Sequence, residues 1–188
     1  MMTVSVALTD DLEMHRTMLK NSLSELARST KQFEFKVVGE FPEGQSLCKA
    51  LPKADLYTLD IRMPTQDGLT TLLFLRRRHL IKAPICMASS EDEHNVSSFA
   101  GASVMPEAKA MTFEQKIALM GKVELRVLSR VVEPGKINSL LGGCEALQLD
   151  PRRYAQHLGA NGFLHKPYRP DEVHRIIPAV LNGKSFTA

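Results

Sequence analysis

Asp60 ends an apolar run, Leu56-Tyr57-Thr58-Leu59, and is followed at once by Ile61-Arg62-Met63-Pro64 and then Asp67-Gly68. A carboxylate at the carboxyl end of a buried strand, just before a Pro/Gly turn, is costly unless it does chemistry. A second apolar run, Val4-Ser5-Val6-Ala7-Leu8, leads into Thr9-Asp10-Asp11, so two strands deliver three carboxylates to one edge of a parallel sheet. Each pair of such charges near 4 Å repels by about 4 kcal/mol even at a generous effective dielectric, and something positive must sit among them. The hard-oxygen set suits Mg²⁺, which takes one or two carboxylates, backbone oxygen, water and phosphate oxygens. A lysine is the other candidate, and Gly162-Phe163-Leu164-His165-Lys166-Pro167 supplies one at the end of a late, short apolar run.

The elements that must position these groups alternate between strand and helix patterns, which predicts an α/β fold with a doubly wound parallel sheet. After the strand at 4–8, a helix near 12–28 carries Met14, Met18, Leu19 and Leu26 at helical spacing. Phe33 to Val38 reads as the second strand, closed by Gly39, and Gly44 to Leu51 as a short helix stopped at Pro52. The third strand is 55–60; the third helix starts near Asp67, carries Leu69, Leu72, Leu73 and Leu75, and ends in Arg76-Arg77-Arg78-His79, where cations complement the helix dipole. Strand four is Pro84 to Ala88, ending in Ser89-Ser90-Glu91. The fifth strand is placed at 162–167, after a helix with Asp150 as N-cap, Pro151 in its first turn and Gly159 as terminator. A last helix opens at Pro170 and puts Val173, Ile176, Ile177, Val180 and Leu181 on one face, with Pro178 expected to kink it.

Composition narrows the function classes. The chain has 188 residues, enough for one well-buried domain with an addition, and its formal charge of +3 is a small excess of 24 Lys and Arg over 21 Asp and Glu spread along the sequence. That balance makes no electrostatic case for nucleic acid or an anionic membrane. Cys48, Cys86 and Cys144 share no metal-type spacing and indicate no disulfide framework, which fits a reducing cytoplasm. The early acids Asp10 and Asp11 argue against a secretory signal, and no run approaches membrane-spanning length.

Taken in order, Asp10-Asp11, Leu59-Asp60, Met63-Pro64, Asp67-Gly68, Ser89 and Lys166-Pro167 resemble the receiver domain of bacterial response regulators, and the chain is similar to the single-domain chemotaxis proteins of the CheY type. The resemblance covers residues 4–90 and 150–182 and implies a five-stranded sheet in the flavodoxin-like order 2-1-3-4-5. It implies that Asp60 is the phosphoacceptor, forming an acyl phosphate from a phosphohistidine on a histidine kinase or phosphotransfer protein, or from a small phosphodonor. Asp11 and Asp60 would ligate Mg²⁺ with the backbone carbonyl of Arg62, and Asp10 would hold metal-bound water. Lys166 would pair with the phosphoryl oxygens, placed by a cis bond to Pro167. Ser89 stands at the switch hydroxyl and Phe163 at the switch aromatic. Arg62 and Glu91 flank the acceptor, and their pairing across the site would lengthen the phosphoryl lifetime.

Residues 91–149 depart from that pattern as an insertion inside a single receiver domain. Glu91 to Ala110 reads as a flexible loop, and Thr112-Phe113-Glu114-Gln115 as a capping box opening a helix to Val132. Phe113, Ile117, Met120, Val123, Val127, Leu128 and Val131 form a stripe that faces either the core or a partner. In the second case the insertion is a docking arm or supports a homodimer. The expectation is that no carboxyl-terminal effector follows and that the output is a contact with a downstream protein. The rivals are a phosphorylation-independent pseudo-receiver acting as an adaptor, and an Asp-nucleophile phosphatase, which as a class places a second acid where this chain has Arg62.

Overall fold

A computed structural model describes residues 1–90, 105–129 and 139–184 of the chain. Five parallel strands, β1 (Met2–Thr9), β2 (Phe33–Phe41), β3 (Leu56–Asp60), β4 (Ile85–Ser90) and β5 (Gly162–Lys166), lie in the order β2-β1-β3-β4-β5. The expected strand order therefore holds. The central strand β3 is buried at every position, as its near-continuous apolar run requires of a strand covered on both faces. Helices α1 (Glu13–Thr30), α2 (Gly44–Ala50), α3 (Gly68–Leu73, continued by a π-helical turn at Phe74–Arg78), α4 (Phe113–Ser129), α5 (Leu140–Ala146), α6 (Pro151–His157) and α7 (Pro170–Leu181) complete it. Among the described residues no helix is long and apolar enough to cross a membrane.

Two cores flank the sheet. On one face Val4, Val6, Leu8, Cys86, Ala88 and Leu164 pack against Leu19, Leu23 and Leu26 of α1 and against Val173, Ile176, Ile177 and Val180 of α7. On the other, Tyr57, Leu59, Ile85, Met87 and Phe163 pack against α3, α5 and α6. Met14, expected on the apolar stripe of α1, is instead exposed, because the Leu19, Leu23, Leu26 face defines the buried side and Met14 falls outside it. Pro178 lies inside α7, which continues past it to Leu181.

The structure corrects the sequence reading at several boundaries. Strand β2 does not close at Gly39. It runs on to Phe41 because β1 itself extends to Thr9, and after a register shift at Val6/Ala7 the pairs Ala7 with Gly39, Leu8 with Glu40 and Thr9 with Phe41 carry the ladder to the site edge. The segment read as a loop up to Ala110 is ordered in its last part: Pro106–Ala110 is a 3-10 turn with Ala108 buried, and Met105 N–H donates to the Ala146 carbonyl at 3.0 Å. Residues 91–104 lie outside the described residues.

The capping box forms as expected. Gln115 N–H donates to Thr112 Oγ1 at 3.3 Å, and the Gln115 side chain accepts from Thr112 N–H at 2.8 Å. The α4 stripe faces the core, with Met120 and Val127 buried and Phe113, Ile117, Val123 and Leu128 packed against the α3 side; Val131 and the expected end at Val132 lie outside the described residues. Helix α5 has no counterpart in the sequence reading. Ser139 caps it, its Oγ accepting from Gly142 N–H at 3.0 Å, and Leu140, Leu141 and Cys144 are buried. A Cβ on Gly143 would stand 2.9 Å from Met120 Sδ, so glycine lets α4 seat on α5. Further contacts bind α4 to α6: the Tyr154 hydroxyl donates to Glu124 at 2.5 Å, and the Arg153 guanidinium lies 4.3 Å from the Phe113 ring centre.

The arginine run divides by position. Arg77 and Arg78 are exposed at the helix end, as the dipole reading expects, but Arg76 turns to the amino edge of the sheet. Its guanidinium donates to the carbonyls of Gly159 (3.0 Å), Ile81 (2.6 Å) and Ala83 (2.9 Å) and to Asn161 Oδ1 (2.6 Å), which also accepts from Ile85 N–H at 2.9 Å. Arg76 thus ties together the loops that start β4 and β5. Arg76→Ala leaves these acceptors short of a donor, and denaturant unfolding should show a loss of about 2–3 kcal/mol. Arg76→Lys should not restore it, because an ammonium lacks the planar fork.

Candidate functional site

Alternation along the strands decides which side chains meet at the carboxyl edge. Val6, Leu8, Ala88 and Leu164 face the α1/α7 core, and Asp10, Asp60 and Lys166 continue that parity beyond or at the strand ends. They emerge together. Lys166 Nζ lies 2.7 Å from Asp60 Oδ1 and 3.2 Å from Asp10 Oδ2. All three are buried, Asp60 at 2% exposure, Asp10 at 3% and Lys166 at 7%. Burial works against the lysine charge, but the Asp60 and Asp10 carboxylates outweigh it and hold the ammonium above its ordinary pKa.

Asp11 is exposed beside this pair, and one oxygen each from Asp10, Asp11 and Asp60 lie within 4.8 Å of one another. Such a set of hard oxygens at a rim reached by solvent fits a small divalent cation such as Mg²⁺.

The loop after β3 is shaped for close approach. Gly68 N–H donates to the Ile61 carbonyl at 2.9 Å, and a Cβ on Gly68 would stand 2.0 Å from the Asp60 carbonyl oxygen, so only glycine fits. Asp67, buried, caps α3 by accepting from Thr70 N–H at 2.8 Å and Thr70 Oγ1 at 2.9 Å. Thr70 Oγ1 in turn accepts from Leu140 N–H at 3.1 Å, which fastens α5 to the first turn of α3, just after the loop that follows Asp60.

Other expected residues fall as follows. Arg62 Nη1 donates to Glu145 Oε1 of α5 at 3.0 Å; the expected partner, Glu91, lies outside the described residues. Ser89 is buried on the opposite parity, its Oγ accepting from Arg152 Nη2 at 2.9 Å. Phe163 is buried in the core on that same side. The Lys166-Pro167 bond is cis.

The sequence reading missed His15 and Tyr168. His15 Nδ1 stands 3.2 Å from Asp10 Oδ1 and 3.3 Å from Lys166 Nζ. Burial, with the Asp10 and Asp60 charges, pushes the Tyr168 phenol well above its ordinary pKa, so it remains neutral beside Asp10. The signal for both was positional: His15 opens the helix that follows Asp10-Asp11, and Tyr168 follows Lys166-Pro167.

A 2-1-3-4-5 parallel sheet with acids at the ends of β1 and β3 and a lysine at the end of β5 is the architecture of response-regulator receiver domains, and that is the fold of this chain. The isolated receiver domain of RcsB from Salmonella enterica serovar Typhimurium, in the presence of the phosphomimetic beryllofluoride, superimposes with a TM-score of 0.59 at 18% identity, covering 99% of this chain and 94% of that one. The chemotaxis protein CheY4 of Vibrio cholerae gives a TM-score of 0.51 at 18% identity over 95% and 98% of the two chains. In sequence, 93 residues are 36% identical to protein-glutamate methylesterase/protein-glutamine glutaminase 1 of Carboxydothermus hydrogenoformans, a match that covers 48% of this chain and 25% of that protein. The chain thus spans about a quarter of the length of the curated relative it matches. No family model matches.

Lys166→Met should leave Asp10 and Asp60 facing each other without their cation, and breaking such a buried pair costs about 3 kcal/mol. Because the folded-state pKa of Lys166 is raised, its contribution is fully present below the ordinary lysine value of about 10.5 and is lost as pH rises through the folded value. Urea unfolding at pH 7 and at pH 11 should therefore show the gap between wild type and variant shrinking at the higher pH.

Proposed function

We propose that the chain is a phosphorylation-dependent switch that accepts a phosphoryl group on Asp60 and signals through a protein contact. The observation that carries this reading is the 2.7 Å approach of Lys166 Nζ to Asp60 Oδ1 within a cluster that also gathers Asp10 and Asp11. An Asp60 carboxylate oxygen attacks the phosphorus of a phosphohistidine, the P–N bond breaks, the electron pair leaves on the imidazole, and an acyl phosphate forms. A small acyl phosphate donor serves in the same way, with a carboxylate as leaving group. Lys166 shifts its pairing from the Asp60 carboxylate to the new phosphoryl oxygens, and its burial keeps competing water away.

Asp10, Asp11, Asp60 and the Arg62 carbonyl are the groups that would hold Mg²⁺, which neutralises charge on the phosphoryl oxygens when bound. On this reading the chain assists its own phosphorylation and dephosphorylation without acting on a separate substrate. The donor is a histidine kinase or phosphotransfer protein, and the receiver of the signal is a downstream protein. One observation favours the adaptor reading instead: the expected switch hydroxyl, Ser89, is occupied by Arg152.

Intact-protein mass after incubation with an acyl phosphate and Mg²⁺ separates the two. One phosphoryl group should appear on the wild type, and none on Asp60→Asn or without Mg²⁺. A folded, Mg²⁺-binding wild type that takes up no phosphoryl group from either an acyl phosphate or a phosphohistidine protein leaves the adaptor. On this reading Arg62, two residues after Asp60 and hydrogen-bonded to Glu145, restricts the hydrolytic water. Loss of the phosphoryl group, followed by mass, should be several times faster in Arg62→Ala, by about the factor of five that one hydrogen-bonded contact carries.

A further inference from the structure

Ser89 closes β4 on the side opposite Asp60 and Lys166, since Ile85, Met87 and Ser89 share the parity that faces α3, α5 and α6. There its buried hydroxyl accepts from Arg152 Nη2 of α6 at 2.9 Å. The second arm of the same guanidinium, Nη1, lies 2.9 Å from His165 Nε2 on β5. A guanidinium only donates, so His165 Nε2 accepts and its ring proton resides on Nδ1, bound to Glu172 Oε1 in the first turn of α7. The other Glu172 oxygen accepts from His165 N–H at 3.2 Å. The network runs from the carboxyl end of β4, through α6 and β5, to α7, and joins elements from both faces of the sheet.

We infer that Arg152 is the positioning residue for the Ser89 hydroxyl. Its guanidinium holds the hydroxyl on the α6 side of β4 while Asp60 carries no phosphoryl group, and yields it when phosphoryl oxygens, which are stronger acceptors, draw the Ser89 O–H toward Asp60. The inference rests on the phosphoacceptor reading. Arg152 suits the task because its fork is braced on His165, so that one arm can let go of Ser89 while the other keeps α6 in register with β5.

Beryllofluoride with Mg²⁺, titrated calorimetrically into the full chain, tests this by a double-mutant cycle. Arg152→Ala should bind beryllofluoride about fivefold more tightly than wild type, the factor of one released hydrogen bond, and the gain should vanish when Ser89→Ala is already present. Arg152→Lys, which keeps the charge without the fork and preserves more of the fold, should bind more tightly by a smaller factor. Hydrogen exchange should report the same event: beryllofluoride speeds exchange in residues 151–158 of the wild type, while Arg152→Ala exchanges fast there from the start. Weaker binding in Arg152→Ala, or an equal effect with and without Ser89, overturns the positioning role. A wild type that binds no beryllofluoride removes the phosphoacceptor reading itself, an outcome distinct from binding that Arg152→Ala leaves unchanged.

Discussion

Everything at the carboxyl edge of the sheet depends on one charge balance, the Lys166 ammonium set between Asp60 and Asp10. Two buried carboxylates on adjoining strand ends would otherwise push β1 and β3 apart where their ladder finishes. The lysine that prevents this arrives on the far edge strand, so β5 must pair with β4 in a register that brings Ser90 opposite Lys166. That register is kept although a long stretch of sequence separates β4 from β5. Residues 105–129 and 139–149 are accommodated outside it, on the α3 side, through the buried faces of α4 and α5.

The two sides of the sheet have separate duties. The α1/α7 side carries the acids and the lysine, and the α3/α6 side carries Ser89, His165 and Phe163. Parallel-strand alternation enforces the split, and at a strand end Glu172 of α7 reaches across it to meet His165 of β5. Helices α5 and α6 meet the elements around the site from the second side, α5 by Thr70 to Leu140 and Arg62 to Glu145, and α6 by Ser89 to Arg152. Residues of α5 and α6 therefore brace the segments next to Asp60 and Ser89.

Much of this was legible in the sequence because its signals are local. The acids at the ends of apolar runs, the Asp67-Gly68 turn, the Asp150-Pro151 helix start and the capping box at Thr112 each occupy a few adjacent residues, and each was found where expected. What escaped depends on distance or on misleading propensity. Helix α5 contains Gly142 and Gly143, which lower helix propensity, yet Gly143 is what lets Met120 pack on it. Arg76 looked like one member of a basic run closing a helix, and two of its acceptors, the Gly159 carbonyl and Asn161 Oδ1, lie far along the chain. Arg62 to Glu145 spans 83 residues and Ser89 to Arg152 spans 63, separations at which no spacing rule operates. His15 and Tyr168 were passed over because neither belongs to a recognisable pattern until Asp10 and Lys166 are brought together.

The late position of β5 has a consequence for how the protein is made. Lys166 joins Asp10 across 156 residues of chain, and β4 waits for its neighbour until α4, α5 and α6 have been synthesised. A nascent chain that has reached only β4 carries an open sheet edge and a cluster of acids that lacks the Lys166 ammonium, both of which favour solvation over compaction. Closing so long a loop costs little more than closing one half its length, about 0.6 kcal/mol, but it places the decisive contact late in folding. The pocket thus comes into being as the last strand docks, and a chain able to bind an ion or a phosphoryl group there has already passed its own test of completeness.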